Sequence, residues 1–287
     1  MTAVLKHELR NYYHSMTAWL FCAFLLLFVG IGAMMYNIQS AVANFEYVLQ
    51  FVCIGMVVIV PVLTMRVLAE EKKQKTDQLL YSLPLKASQI ILGKYLALLV
   101  IFLIPLIIIS FYPLIFAQFG DVYLPTSYGS LFAFFCMGAA LLAIGTFISS
   151  LTDNLGFAIG ISIPALLLNY YCVTLAEYVS STAIGSMIAL LVIMLAFSFL
   201  VSHMTGNEDL GFGIAIAGMV ILGGAYYLNS SMFEGLLPDI MSKLSLFERF
   251  YDFVDGVFDI TSIIFYLTVI IFFLFLSVQS LEKRRYN

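Results

Sequence analysis

The chain has 287 residues, of which 62% are hydrophobic and only 10% are charged. Soluble domains carry about a quarter charged residues, and a chain this apolar would expose large hydrophobic patches to water, so the composition favours a membrane protein. The 13 Lys and Arg residues against 17 Asp and Glu residues give a net charge of −4, which argues against nucleic-acid binding, and the high hydrophobicity argues against disorder.

Long apolar runs dominate the chain, and a helix needs about 20 such residues to cross a bilayer. Leu, Ile and Phe fill these runs without the alternation of a membrane barrel strand, so we predict an all-α polytopic bundle in one transmembrane domain, residues 1–287. The first run follows Lys6 and Arg10 like a signal peptide, but we expect it to be retained as an anchor. The eight predicted spans are 17–36, 47–65, 95–117, 129–151, 155–176, 183–202, 210–228 and 260–281.

Positive charge is distributed unevenly between the predicted sides of the membrane. Eight spans place both termini on one side, and the positive-inside rule makes that side the cytoplasm. The outer side keeps only Lys243 and Arg249. The other eleven cations fall inside: Lys6, Arg10, Arg66, Lys72, Lys73, Lys75, Lys86, Lys94, Lys283, Arg284 and Arg285.

Two amphipathic segments are predicted on the cytoplasmic side. Residues 1–16 can form a helix lying in the membrane interface, with the alternative of a polar extension of the first span. Residues 70–88 begin with EEKKQKTDQ and continue with the apolar residues Leu79, Leu80 and Leu83 before Pro84. This pattern predicts a short helix that docks a cytoplasmic partner, with a solvated loop as the alternative.

A third amphipathic segment, residues 229–259, is predicted outside. Its apolar residues recur at helical spacing, and six acidic residues against two basic ones leave a net charge of −4. We predict two short helices here. They form a cap packed on the spans, a lid over an exit path, or a dock for an extracellular auxiliary protein.

Several functional classes are disfavoured by what the predicted spans lack. No predicted span holds an acidic or basic residue near its middle, which argues against a proton-coupled carrier. Neither HExxH nor GxSxG occurs, which argues against an intramembrane protease. The four cysteines lie in apolar runs without CxxC spacing, so we predict no metal site. Gly156 and Gly160 have the GxxxG spacing that lets helices approach closely.

The segment beginning at Arg66 carries a family resemblance. Together with four other stretches it resembles type-2 ABC-transporter permeases, and more narrowly their gliding-motility-type branch. The commonest pattern in that family has six spans, so eight would be a departure. The stretches are RVLAEEKKQKTDQLLYSLP with IILGKY at 90–95, VLKHELRNYYHS near the start, ISSLTDN at 148–154, LFERFYDF at 246–253 and LEKRR at 281–285.

This resemblance implies an interfacial elbow helix at 1–16 and a coupling helix within 70–88 that sits in a groove of a cytoplasmic ABC ATPase. Its implied contact residues are Glu70, Glu71, Lys75, Thr76, Asp77, Leu79 and Leu80. A second, weaker contact set is Ser150, Thr152, Asp153 and Asn154.

The resemblance also implies the partners and the direction of transport. The chain contains no GxxxxGK[ST], so ATP and Mg²⁺ are expected on a separate ATPase, and the chain itself is expected not to be an enzyme. A second permease chain is implied, in a homo- or heterodimer, because the path forms between two halves. The expectation is an exporter in the bacterial cytoplasmic membrane. The alternative is a membrane scaffold or sensor that relays the state of the ATPase without transport.

Overall fold

The computed structural model describes residues 2–75, 86–179, 181–205 and 208–286, and this part of the chain contains helices and no strand. A π-helical segment, Met34–Gln39, extends the second helix, and a short 3₁₀ helix covers Ser230–Phe233. The α-helices are α1 Thr2–His14, α2 Met16–Ala33, α3 Glu46–Thr64, α4 Ala69–Gln74, α5 Ala87–Ile109, α6 Tyr112–Phe116, α7 Leu124–Leu151, α8 Leu155–Tyr170, α9 Cys172–Tyr178, α10 Ala183–Thr205, α11 Glu208–Leu228, α12 Leu236–Leu244, α13 Leu246–Val254 and α14 Ile260–Tyr286.

The chain divides into two compact units. The first unit comprises Met1–Tyr170 and Arg249–Arg285, and the second comprises Tyr171–Glu248 and Tyr286–Asn287. The first unit therefore contains α1 to α8 and α14, and it holds all the residues of the candidate site described below.

Helices α3 and α7 form the centre of the first unit. Their apolar stretches are 67% and 78% buried, whereas those of the helices around them are 22–39% buried. Gly145 of α7 allows the close approach, because a Cβ there would lie 2.8 Å from Thr64 Cβ of α3. Gly138 of α7 makes room for α5 in the same way, since a Cβ there would clash with the Phe102 ring. Small residues at a crossing let backbones pack closely inside a bilayer, where no hydrophobic force drives helices together.

The remaining helices of the first unit surround this pair. Helix α2 packs along α3 and α5, with Phe21 edge-on to Phe102 at 6.1 Å between ring centroids. Helix α1 packs across α5 and presents Val4, Glu8 and Tyr12, spaced four residues apart, on its buried face. A carboxylate in the middle of this apolar face needs a compensating partner.

The second unit is built on the hairpin of α10 and α11. Gly218 lies against Met194, Gly211 lies against Ser202, and the Ser198 hydroxyl donates a hydrogen bond to the Gly211 carbonyl. Helix α12 packs against α9, and the Gly235 N–H donates to the Ser181 carbonyl at 2.9 Å. This unit is thus a helical hairpin with two shorter helices packed together.

Six helices of the described chain are long and apolar enough to span a membrane, or seven if α8 and α9 form one bent span. All eight predicted runs are helical, but two do not meet the criterion as single straight helices. The fifth run breaks at Tyr171, and the sixth has a described apolar stretch of only 17 residues, Ala183–Phe199. The third begins at Ala87, well before its predicted start at residue 95. A count of eight spans stays a prediction.

The three predicted amphipathic segments also contain helices. Helix α1 covers most of residues 1–16, and α12 and α13 lie within residues 229–259. Helix α4 covers only the first part of residues 70–88: it ends at Gln74, and Lys75, whose φ is 57°, follows it. Residues 76–85 lie outside the described part of the chain. The membrane positions of these helices stay predictions.

Candidate functional site

One end of the first unit gathers ionisable side chains from four helices and two turns. We call it the charged end. Its residues come from α1, the α3–α4 region, α5, the α7–α8 turn and α14. They are Glu8, Arg66, Glu70, Glu71, Lys72, Lys94, Asp153 and Arg284.

Lys94 is the most deeply buried cation of the charged end. Its side chain is 1% exposed, and its Nζ lies 2.8 Å from Glu8 Oε1 and 2.6 Å from Glu71 Oε1. A buried ammonium is tolerated only when carboxylates offset its desolvation. Burial and the nearby Glu8 carboxylate raise the pKa of the Tyr12 phenol, so Tyr12 stays neutral beside this cluster. Lys94 thereby joins α1, α4 and α5.

Arg66 makes a second connection, between the α3–α4 turn and the α1–α2 junction. Its guanidinium binds the Glu70 carboxylate through Nε at 2.5 Å and through Nη2 at 2.8 Å. Its Nη1 donates to Ser15 Oγ and Thr17 Oγ1, both at 2.8 Å. Paired N–H donors fit a carboxylate geometrically, which makes this the more directional kind of ion pair.

Ser149 attaches the α3–α4 turn to α7. Its buried Oγ accepts hydrogen bonds from the backbone N–H groups of Leu68 and Ala69, at 3.2 and 3.1 Å, and donates to the Met65 carbonyl at 3.1 Å. The hydroxyl thus satisfies three backbone groups where the chain turns out of α3. Helix α4 is held by a side chain of another helix as it begins.

Asp153, in the α7–α8 turn, brings α14 into the network. It pairs with Arg284 of α14 and lies 3.9 Å from Lys72 Nζ. The hydrogen bond from Arg284 lowers the pKa of Asp153, with smaller effects of the Arg284 and Lys72 charges in the same direction. Lys72 also donates to the Ser150 carbonyl, which accepts a second hydrogen bond from Ser280 Oγ at 3.0 Å.

Apart from Asp77, which lies outside the described residues, the carboxylates of the two predicted contact sets are therefore engaged within the chain. Glu70 pairs with Arg66, Glu71 pairs with Lys94, and Asp153 pairs with Arg284 and Lys72. Glu71 thus connects α4 to α5, and Asp153 connects the α7–α8 turn to α14 and α4. Glu70 connects α4 to Arg66 in the turn just before it. Their engagement indicates internal bracing, and contact with an ATPase stays a prediction.

The polar residues of the second contact set also make local hydrogen bonds. The Ser150 hydroxyl donates to the Phe147 carbonyl at 2.6 Å and is buried. Thr152 Oγ1 accepts from the Asn154 N–H at 3.2 Å, and Asn154 Oδ1 accepts from the Gly156 N–H at 2.9 Å, where α8 begins. Thr152 and Asn154 therefore shape the turn, and Asn154 remains exposed.

Lys75 is exposed at the end of α4. The other members of the first contact set, Thr76, Asp77, Leu79 and Leu80, lie outside the described residues. Glu8, Arg66, Lys94 and Ser149 were missed as site residues by the sequence reasoning. The available signal was weak: Lys94 is the one charged residue of α5, and Glu8 interrupts the apolar face of α1.

The opposite end of the first unit has different chemistry. Glu46, at the start of α3, is 2% exposed, and its Oε1 accepts a hydrogen bond from Ser127 Oγ at 2.7 Å. A cavity of about 290 Å³ has Tyr123, Phe253 and Phe258 in its wall. Within the described residues, no group of three or more His, Cys, Asp or Glu side chains is placed to hold a metal ion.

Residues 32–174 match the family described as "ABC-2 family transporter protein". The matched stretch is just under half of the chain and runs from the end of α2 into α9, so it includes α4, Lys94 and Asp153. This match supports a type-2 ABC permease, which is a membrane component of a transporter that generally works with an ATPase subunit. No individual curated protein matched the chain. The resemblance to the gliding-motility-type branch stays a prediction.

Proposed function

We propose that this chain is the membrane-spanning permease subunit of an ABC exporter, in the gliding-motility-type branch. It would move its substrate out across the bacterial cytoplasmic membrane while a separate cytoplasmic subunit binds ATP and Mg²⁺ and hydrolyses the ATP. The match over residues 32–174 is the observation that supports this proposal most directly.

The construction of the charged end supports the coupling part of the proposal. Helix α4 continues from α3 through one turn, is linked to α5 by Glu71 and Lys94, and is linked to α7 by Ser149 and Lys72. A force applied to α4 would therefore reach three long helices of the first unit. In a packed helix bundle such a force favours one of a few discrete arrangements over continuous bending.

In the proposed cycle, closure of the ATPase dimer moves α4 and the adjoining residues 76–85. The long helices then tilt, and the substrate path changes from inward-facing to outward-facing. Because a ligand shifts an equilibrium only by its difference in affinity for the two states, the substrate must bind the two arrangements unequally. The proposed ATPase contacts lie in two sets. The first set is Glu70, Glu71, Lys75, Thr76, Asp77, Leu79 and Leu80, and the second is Ser150, Thr152, Asp153 and Asn154.

The proposal includes two further partners. A second permease chain would complete the path between two halves, in a homo- or heterodimer. The outer segment around α12 and α13 would form a lid over that path or dock an extracellular auxiliary protein. Its high proportion of acidic residues supports a solvent-facing position.

The decisive experiment purifies the chain from its native membrane and identifies the ATPase that accompanies it. The complex is reconstituted in liposomes, and ATP hydrolysis is followed together with the release of candidate substrates. Leu80→Asp, which leaves the Glu71–Lys94 pair intact, should uncouple hydrolysis from transport while membrane insertion stays normal. Unchanged transport would refute the docking assignment. Hydrolysis that responds to an outer partner without moving any substrate would favour a scaffold or sensor.

A further inference from the structure

We infer that Lys94 is a positioning residue that makes α1 move together with α4. We call the group of Lys94, Glu8 and Glu71 the Lys94 clamp. Its structural part, the fixed spacing of α1 and α4, is independent of the function proposed above. Its role in coupling rests on that function.

The geometry that carries this inference is the sharing of one ammonium by two helices. Glu8 belongs to α1 and Glu71 belongs to α4, and the two are far apart in the chain. Both carboxylates lie within 2.8 Å of Lys94 Nζ, and Lys94 and Glu8 are almost fully buried. If either helix moved alone, it would remove one of the two negative charges that offset a buried positive charge.

A purely structural role would call for different residues. A buried ion pair rarely stabilises a protein more than apolar side chains of similar volume, whereas it is sensitive to the position of its members. Glu8 lies between Val4 and Tyr12 on the buried face of α1, where an apolar residue would anchor the helix equally well. The pattern favours control of position over simple anchoring.

Neighbouring contacts reinforce the same connection. Arg66, one turn before α4, binds Glu70 and also reaches Ser15 and Thr17, where α1 ends and α2 begins. Helix α1 is therefore held to the α3–α4 region at two points, through Glu8 and through the α1–α2 junction. Two points of attachment restrict rotation as well as separation.

The first test measures the spacing of α1 and α4 in the full chain in lipid nanodiscs, without any ATPase. Cys22, Cys53, Cys136 and Cys172 are replaced by Ala, and spin labels are placed at the exposed positions Asn11 and Lys73. Pulsed electron resonance then gives the distribution of distances between the labels. The wild-type distribution should be narrow.

Lys94→Met should broaden that distribution about twofold. Glu8→Gln, a milder change that also weakens the clamp, should broaden it less. Lys86→Met is the matched control, because Lys86 is exposed just before α5 begins, and it should leave the distribution unchanged. Lys94→Arg keeps a cation between the Glu8 and Glu71 carboxylates and should leave the distribution close to that of the wild type.

The second test uses the unlabelled chain in complex with its ATPase. Lys94→Met should reduce substrate-stimulated hydrolysis by about tenfold relative to basal hydrolysis, a coupling change of the size seen for single residues between sites. Lys94→Arg, which keeps the central cation, should retain it. Unchanged distance distributions in both Lys94→Met and Glu8→Gln would overturn the clamp. If no ATPase accompanies the chain, the proposed function fails, and the nanodisc measurement still decides the spacing claim.

Discussion

Ser149 shows how much of the α3–α4 turn depends on one hydroxyl. It is fully buried and serves two N–H donors and one carbonyl acceptor at a point where the helical pattern is interrupted. Within a bilayer-spanning protein, backbone groups without partners are costly, because water does not replace them. The hydroxyl of the neighbouring Ser150 donates to the Phe147 carbonyl within the same helix, so this bond does not connect two segments.

Ser149→Ala should lower the free energy of unfolding by about 1–3 kcal/mol, because it leaves buried N–H groups without an acceptor. Ser150→Ala is the matched control and should change it by well under about 1 kcal/mol, since only a bond within one helix is lost. Denaturant unfolding in micelles, followed by circular dichroism, measures both. Equal losses in the two variants would contradict the assigned role of Ser149.

Because of Asp153, we expect the stability of the fold to depend on pH in the acid range. Its pKa in the folded chain is lowered, chiefly by the hydrogen bond from Arg284, so its ionised form stabilises the fold. That contribution is complete above the unfolded-state pKa of about 3.9 and disappears as the pH falls through the lower, folded-state pKa. Because the side chain is 56% exposed, solvent screening limits the contribution to about 0.5 kcal/mol or less.

The measurement compares wild type with Asp153→Asn between pH 3 and pH 6. The wild type should be slightly more stable at pH 6, and the difference should shrink steadily on acidification below about pH 4. Asp121, exposed in the α6–α7 loop, provides the control substitution Asp121→Asn. A difference that grew on acidification would contradict the pairing with Arg284.

At the scale of helices, the crossing of α3 and α7 depends on glycine where backbones meet. A Cβ at Gly145 would press against Thr64, which is fully buried and hydrogen-bonded to the Val60 carbonyl at 3.0 Å. Gly30, in α2, has open space around the same position. Alanine substitutions at these two glycines therefore distinguish the effect of packing from that of helix propensity.

Gly145→Ala should destabilise the chain by about 1–3 kcal/mol through overpacking of the crossing. Gly30→Ala should be neutral or stabilising by up to about 1 kcal/mol, because alanine is the better helix former. Thermal denaturation of the two purified variants in the same detergent gives the comparison. A stabilised Gly145→Ala variant would mean that the helices do not meet at this glycine.

Hydropathy was sufficient to predict that the helices exist. Apolar composition without alternation placed helices in all eight predicted regions, because a spanning segment must satisfy its backbone groups internally. It did not predict the break at Tyr171. The predicted third span began only at residue 95, after Lys94, whereas α5 begins at Ala87, and a buried partner allows the lysine inside the helix. A Cβ added at Gly160 would meet nothing within 4 Å in the described chain, so helix packing at the GxxxG spacing stays a prediction.

For the whole molecule, the proposed topology places the two ends of α5 on opposite sides of the membrane. Lys73 and Asp121 are exposed beyond those ends. In intact cells of a strain expressing single-cysteine variants without the native cysteines, a membrane-impermeant maleimide should label Asp121→Cys. It should label Lys73→Cys only after the cells are opened. The reverse pattern would invert the predicted orientation.

The sequence predicted where the charged end lies but not which of its residues pair with each other. Cation distribution and the family resemblance placed Glu70, Glu71 and Asp153 there, but the pairing of each depends on long-range contacts that no local pattern encodes. Lys94 meets Glu8 across a separation of 86 residues, and Arg284 meets Asp153 across 131. Such pairs become visible only when the helices have been packed.

The burial of Lys94 has a consequence for experiments at different ionic strengths. Mobile ions screen charges in solvent within about 10 Å at 0.1 M salt, but they screen a fully enclosed pair much less. High salt should leave the packing of α1, α4 and α5 unchanged. It should weaken the binding of another subunit through exposed cations such as Lys75. A high-salt wash should therefore release such a subunit and leave this chain folded in the membrane.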